Sequence, residues 1–229
     1  PITQLLIFFY NLTGANLGIA ILLITLLIRG VLVPITLPSL KSAKKMQELK
    51  PRLDKLKQKY KDKKKLQLAQ LELYKQEGVN PAAGCLPNII QLVILIALYQ
   101  VFMDFLVKNG TAANLNLHFL WFNLSQPDPR FVLPVIAGVS QLVLSLMLAP
   151  AIEHHKETTA QKTEDVQEMA ETMQQQMVFI LPIMTVMISL KFPSGLTLYW
   201  IITTVFSLVQ QYFISGWGGL QRYLAKIHF

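Results

Sequence analysis

Five stretches of this chain carry no charge at all: residues 17–28, 86–103, 131–152, 172–190 and 192–221. Each is dominated by apolar side chains. A helix of about 20 such residues spans the ~30 Å hydrocarbon core of a bilayer. Buried helices of soluble proteins rarely come five to a chain. Only 15% of the residues are charged and 52% are apolar, against about a quarter charged in a soluble domain. The pattern predicts an all-α integral membrane protein with five transmembrane helices.

The net charge of +8 is local. Residues 41–77 hold thirteen Lys/Arg against five Asp/Glu, and the rest of the chain is balanced. No recognition motif or aromatic stacking pattern accompanies the run, so direct nucleic-acid binding is not implied. A single cysteine, Cys85, excludes a disulfide framework and a cysteine-based zinc site. There is no Walker loop, dinucleotide fingerprint, HExxH or nucleophile elbow. Glu153-His154-His155 would be a poor metal site, because adjacent histidines point to different sides of a helix. Neither an enzyme nor a cofactor is expected. The start at Pro1 rather than Met is what an excised fragment would show.

The punctuation between blocks sets the organisation. Ile2, Leu5, Leu6, Phe9 and Leu12 fall near one helical face, too short to span, which predicts an interfacial amphipathic helix over 1–16, ended by Gly14. A first span covers 17–40, with Pro34 and Pro38 expected to kink or loosen its end. Met46, Leu49, Leu53, Leu56 and Tyr60 form a heptad stripe. Pro51 interrupts it and predicts a kink or a fresh helix start. With Leu66, Ala69 and Leu73 beyond the polar break at 61–65, this reads as a mobile helical hairpin over 41–80. A second span over 81–107 is followed by a loop, 108–130, with Trp121 and Phe122 suited to the membrane interface. A third span (131–152), an acidic loop (153–176), a short fourth span (177–191), a fifth span (192–216) and a tail (217–229) complete the chain. The short fourth span would tilt its neighbours or thin the bilayer. If the hairpin is cytoplasmic, seventeen loop Lys/Arg lie inside against three outside, Lys108, Arg130 and Lys191. That puts the N-terminus outside and the C-terminus in the cytoplasm.

Arg29 is the most informative residue. It lies within the first span, and no expected span holds a carboxylate near mid-membrane to pair with it. An arginine there costs several kcal/mol unless it faces water or a partner. One reading ends the helix near Pro34 and lets Arg29 snorkel to the cytoplasmic headgroups. The other places it in a water-filled pocket open to the cytoplasm, as a fixed positive charge awaiting an anionic partner. Thr25, Gln91, Gln141, Thr203, Thr204 and Gln210 are polar residues of the spans that could line such a pocket, although each alone is more often a helix–helix hydrogen bond.

Four sets of residues then carry a family resemblance. They are Ile28-Arg29-Gly30 with Pro34; the run Asn80-Pro81-Ala82-Ala83-Gly84-Cys85-Leu86-Pro87 with Gln91 and Ala97-Leu98-Tyr99; Asp128-Pro129 with Leu133-Pro134; and Phe192-Pro193-Ser194-Gly195-Leu196 with Leu198-Tyr199-Trp200 and Gln210-Gln211. In this order around a basic hairpin, the chain resembles the YidC/Oxa/Alb family of membrane protein insertases, in its short form without a large periplasmic domain. It departs from the family at Thr203-Thr204, where Ser-Asn is frequent.

The resemblance implies insertion and folding of newly made membrane proteins without ATP, through a hydrophilic groove open to the cytoplasm and lipid and closed outside. Arg29 would sit in that groove, with Thr25, Gln91, Gln141, Tyr199 and Trp200 as further groove or substrate-contact positions. Nascent membrane proteins with short acidic tails and the bilayer are the implied partners, with the ribosome and the Sec translocon as further ones, in the bacterial inner membrane. The rival reading is a channel or small-anion transporter using Arg29 as its binding site. That would require a pathway open to both sides and often inverted repeats, and none is visible between the halves.

Overall fold

Among the described residues the chain forms seven helices and one minimal hairpin: α1 (Ile2–Leu12), α2 (Leu17–Lys59), α3 (Lys63–Gln76), α4 (Leu86–Asn109), β1 (His118–Phe119), β2 (Phe122–Asn123), α5 (Val132–Leu148), α6 (Val166–Ser189) and α7 (Ser194–Ser215). The computed structural model describes residues 2–60, 62–79, 86–109, 116–149 and 166–221. Glu153-His154-His155, motif residues 80–85 and the tail from 222 onward lie outside these. The protein is helical with almost no sheet. Among the described residues, Leu17–Leu49 and Ser194–Ser215 are long and apolar enough to cross a membrane, and Ile89–Gln100, Val132–Leu148 and Val178–Ser189 are shorter apolar stretches.

α1 ends at Leu12, and Gly14 follows with φ +65°, the left-handed conformation that glycine adopts without a Cβ penalty. Asn16 then caps α2, its side chain accepting the Ile19 N–H at 3.1 Å. α2 is one helix of 43 residues that passes Pro34, Pro38 and Pro51. No fresh start occurs at Pro51, and the helix boundary does not coincide with the division at residue 40. A proline inside a helix costs about 3 kcal/mol, so other contacts must hold the register. Lys44 Nζ donates to the Ile214 carbonyl at 2.9 Å and Gln47 Nε2 to the Leu148 carbonyl at 2.6 Å. These bonds tie α2 to the last turns of α7 and α5, whose terminal carbonyls have no partner within their own helices. Further along, Leu49 is buried and Arg52 pairs with Glu77 beyond α3. Asp62 caps α3 through the Lys64 and Lys65 N–H groups.

α6 also differs from expectation. It has 24 residues, about 36 Å at 1.5 Å per residue, and begins inside the segment expected to be loop. Only its apolar part, Val178–Ser189, is short, and it is the apolar length that sets any mismatch with the bilayer. Packing is close where glycine faces a side chain. A Cβ on Gly138 of α5 would overlap Val186 of α6, and one on Gly18 of α2 would overlap the Phe119 ring.

Segment 116–131, expected to be a polar loop, is built into the bundle. Phe122 and Leu124 are fully buried with Leu6, Tyr10, Leu17 and Leu196 in the main core cluster, so Phe122 is a core residue, and Trp121 keeps the exposure expected of it. The segment caps two helices. Buried Asp128 accepts the Arg130 N–H at 3.1 Å through Oδ1 and the Leu133 N–H at 2.8 Å through Oδ2, at the start of α5. An anionic acceptor at a helix N-terminus satisfies orphan donors and suits the helix dipole. The Gln126 carbonyl accepts both the N–H (2.8 Å) and the hydroxyl (2.7 Å) of Ser194, and the Leu124 carbonyl accepts the Gly195 N–H at 3.0 Å. These bonds give Asp128-Pro129 and Pro193-Ser194-Gly195 a structural role. Asp128→Ala should lower stability by about 1–2 kcal/mol, read as an earlier unfolding midpoint of the detergent-purified protein; an unchanged midpoint would refute the capping role.

Candidate functional site

Thr25 and Arg29 are four residues apart on α2 and therefore share one face of it. That face meets α7, α4 and α1. Thr25 is fully buried, and its hydroxyl donates to the Ile21 carbonyl at 2.6 Å. This is an intrahelical bond, which leaves Thr25 with little to offer a ligand as a donor.

Arg29 is tied to two neighbouring helices. Its Nη2 donates to Oε1 of Gln91 on α4, and Nε2 of Gln91 donates to the hydroxyl of Tyr199 on α7 at 3.0 Å. Helical side chains lean toward the N-terminus of their helix, which directs Arg29 toward the end where α2 begins and away from the basic hairpin. The three residues form a linear chain of hydrogen bonds joining three helices. Tyr199 is buried, while Arg29 and Gln91 are half-buried. The acceptor on the guanidinium is thus a neutral amide. Among the described residues Arg29 forms no ion pair; the one present joins Arg52 and Glu77. A guanidinium has five N–H donors and no acceptor, so a single amide oxygen leaves most of its capacity open.

Beside this chain lies a cavity of about 30 Å³ lined by Leu6, Ile21, Ile24, Thr25, Leu98, Gly195, Leu196 and Tyr199. Its walls are almost wholly apolar, and Leu6 of α1 closes one side. The polar character of the site is concentrated in Arg29, Gln91 and the Tyr199 hydroxyl rather than spread around a cavity.

The other two expected positions stand apart. Gln141 on α5 and Trp200 on α7 are half-buried, and neither side chain hydrogen-bonds to Arg29, Gln91 or Tyr199 among the described residues. Trp200 follows Tyr199 directly, so its side chain is turned by about 100° around the helix axis. Its carbonyl accepts the Thr204 hydroxyl at 2.9 Å.

A second polar feature lies along α7. Thr197, Thr204 and Gln211 are spaced by seven on α7, and all three are buried. Neither amide atom of Gln211 has a hydrogen-bond partner among the described residues. The seven-residue spacing marks a common face, but whether that face meets lipid or protein is decided by packing. Groups joining the site through an acidic or metal-binding constellation are absent among the described residues.

Residues 8–218 match the family model described as 60Kd inner membrane protein. The membrane protein insertase YidC 2 of Bacillus anthracis is 37% identical over 222 residues, covering 94% of this chain and 78% of that protein. Membrane protein insertase MisCA of Bacillus subtilis (strain 168) is 37% identical over 222 residues, covering 94% and 77%. A membrane protein insertase YidC of Fusobacterium nucleatum is 37% identical over 219 residues, covering 94% and 95%. The fold is similar to the crystal structure of an active YidC insertase with its first transmembrane domain resolved, with a TM-score of 0.66 at 29% identity, over 93% of this chain and 45% of that one.

The bridging role of Gln91 yields a test of the geometry. Tyr199→Phe removes the acceptor of its N–H and should destabilise the bundle by about 1 kcal/mol. Thermal unfolding in detergent measures this, and a Phe variant as stable as the parent would contradict the bond.

Proposed function

We propose that this chain, which belongs to the YidC family of membrane protein insertases, inserts newly made membrane proteins into the bacterial inner membrane and helps them fold, with Arg29 receiving the substrate's polar tail. The single observation that carries this role for Arg29 is its bonding state. A cation held among three helices, with a neutral amide as acceptor and no carboxylate paired to it among the described residues, is available to an incoming anion.

In this reading α2, α4, α5, α6 and α7 are the five spans, and they enclose a groove open to the cytoplasm and to lipid. A short acidic tail entering it exchanges water for the guanidinium and the Tyr199 hydroxyl, which offsets much of the desolvation cost of a charge in hydrocarbon. The tail's apolar segment follows along exposed faces such as Ile89, Leu92, Val93 and Ile96 of α4 and Val205 and Val209 of α7. Release into lipid is driven by burial of that segment, so no nucleotide needs to be hydrolysed. The cap made by α1 and segment 116–131 supports closure on the outer side. It packs Leu6, Tyr10, Phe122 and Leu124 over the start of α2 and hydrogen-bonds the starts of α5 and α7.

The excess of Lys/Arg in 41–77 and in the other inner loops supports a cytoplasmic hairpin and C-terminus and an external N-terminus. A basic hairpin of this kind is suited to anionic lipid headgroups and to the ribosome; the Sec translocon is a further partner in this reading. Gln141 and Trp200 would contact the apolar segment rather than the charged tail.

Arg29→Ala in reconstituted vesicles should slow insertion of a substrate with an acidic tail at least tenfold, on the order of the several kcal/mol that a desolvated charge costs, while Arg29→Lys retains most of the rate. Insertion by the Ala variant at the parental rate would remove Arg29 from the mechanism.

A further inference from the structure

We propose that Gln91 sets the charge specificity of the site, because its side-chain carbonyl occupies the Arg29 guanidinium as a neutral stand-in for a substrate carboxylate, and a tail must displace it to bind. This inference rests on the insertase reading above and adds a competing internal ligand to it.

The orientation of the amide carries the argument. Gln91 is held from both ends, its Oε1 accepting from Arg29 and its Nε2 donating to the Tyr199 hydroxyl. The oxygen therefore faces the cation, as a carboxylate oxygen would. A carboxamide and a carboxylate have the same planar end, so the place that fits Oε1 fits a carboxylate oxygen. They differ in charge. A hydrogen bond between two ionised groups is roughly twice as strong as a neutral one, and arginine can grip a carboxylate with two parallel N–H groups. An acidic tail therefore gains by replacing Gln91, whereas an uncharged tail exchanges one neutral acceptor for another. Displacement leaves no orphan. The Tyr199 hydroxyl, no longer accepting from Nε2, turns to donate to the carboxylate or to the released Gln91 oxygen. Gln91 is also reachable, since it is half-buried on a helix whose Ile89, Leu92 and Val93 are exposed.

Two substitutions separate this role from a purely structural one. Gln91→Glu puts a permanent anion on Arg29 with nearly the same shape. Gln91→Met keeps the length and removes the acceptor. The assay uses the full chain in vesicles of phosphatidylethanolamine and phosphatidylglycerol, with two single-span substrates identical except for a short tail carrying either two Asp or two Asn. Translocation of the tail is read by protease protection. Gln91→Glu is expected to slow the Asp tail at least about tenfold, since freeing Arg29 now means breaking an ion pair, and to change the Asn tail less than about twofold. Gln91→Met is expected to insert the Asp tail at least about twofold faster than the parent, because no internal acceptor is left to displace. Equal effects of Gln91→Glu on both tails, or an Asp tail inserted no faster by Gln91→Met, would overturn the competition. A parental protein that inserts neither tail would instead overturn the insertase reading itself.

Discussion

A guanidinium shared among three helices organises this protein. Arg29 on α2, Gln91 on α4 and Tyr199 on α7 are linked by hydrogen bonds, and a polar group buried without a partner would cost several kcal/mol. Among its described side chains α4 exposes Ile89, Leu92, Val93 and Ile96 and places Leu98 in the core. The polar chain gives it a directional contact that apolar packing cannot supply, because lipid competes for apolar surface as well as a neighbouring helix does. The same chain holds the arginine in one orientation and leaves it only partly occupied. In the proposed reading, stability of the bundle and receptivity to an anion draw on the same site.

The rest of the fold can be read as what makes that arrangement one-sided. At one end, segment 116–131 gives the N-termini of α5 and α7 their missing acceptors, through Asp128, Gln126 and Leu124, and adds Phe122 to the core cluster. At the other end, Lys44 and Gln47 reach terminal carbonyls of α7 and α5. Helix ends in or near a membrane cannot leave their orphan groups to water. The chain meets that demand with its own loops and with the continuation of α2, which couples the hairpin to the bundle through a continuous helix rather than through a hinge.

Much was legible from residue order. Helix content, the apolar blocks, the end of α1 at Gly14 and the break before Lys63 follow from periodicity and turn chemistry, which are local. Arg29 stood out because a charge inside an apolar run is costly wherever it ends up. Gln91 was legible as a polar residue within a span and Tyr199 through the motif resemblance, whereas Gln141 and Trp200, named on the same two grounds, do not hydrogen-bond with them. At Pro51 one of two expected outcomes, a fresh helix start, does not occur: α2 continues, and contacts from residues more than a hundred positions away hold Lys44 and Gln47. Phe122 misled: an aromatic in a polar stretch suits an interface, and only tertiary packing makes it core.

The sequence by itself determined that this chain is a set of apolar helices with one misplaced cation and a basic, water-facing segment. Those are properties of single stretches, fixed by hydrophobicity, charge and backbone propensity. The tertiary structure alone decided what the cation meets. Residues 29, 91 and 199 lie on three different helices, and no spacing rule relates them. Only the packing of α2 against α4 and α7 brings the guanidinium, the amide and the hydroxyl within hydrogen-bonding range, and so turns a costly isolated charge into a held but replaceable one.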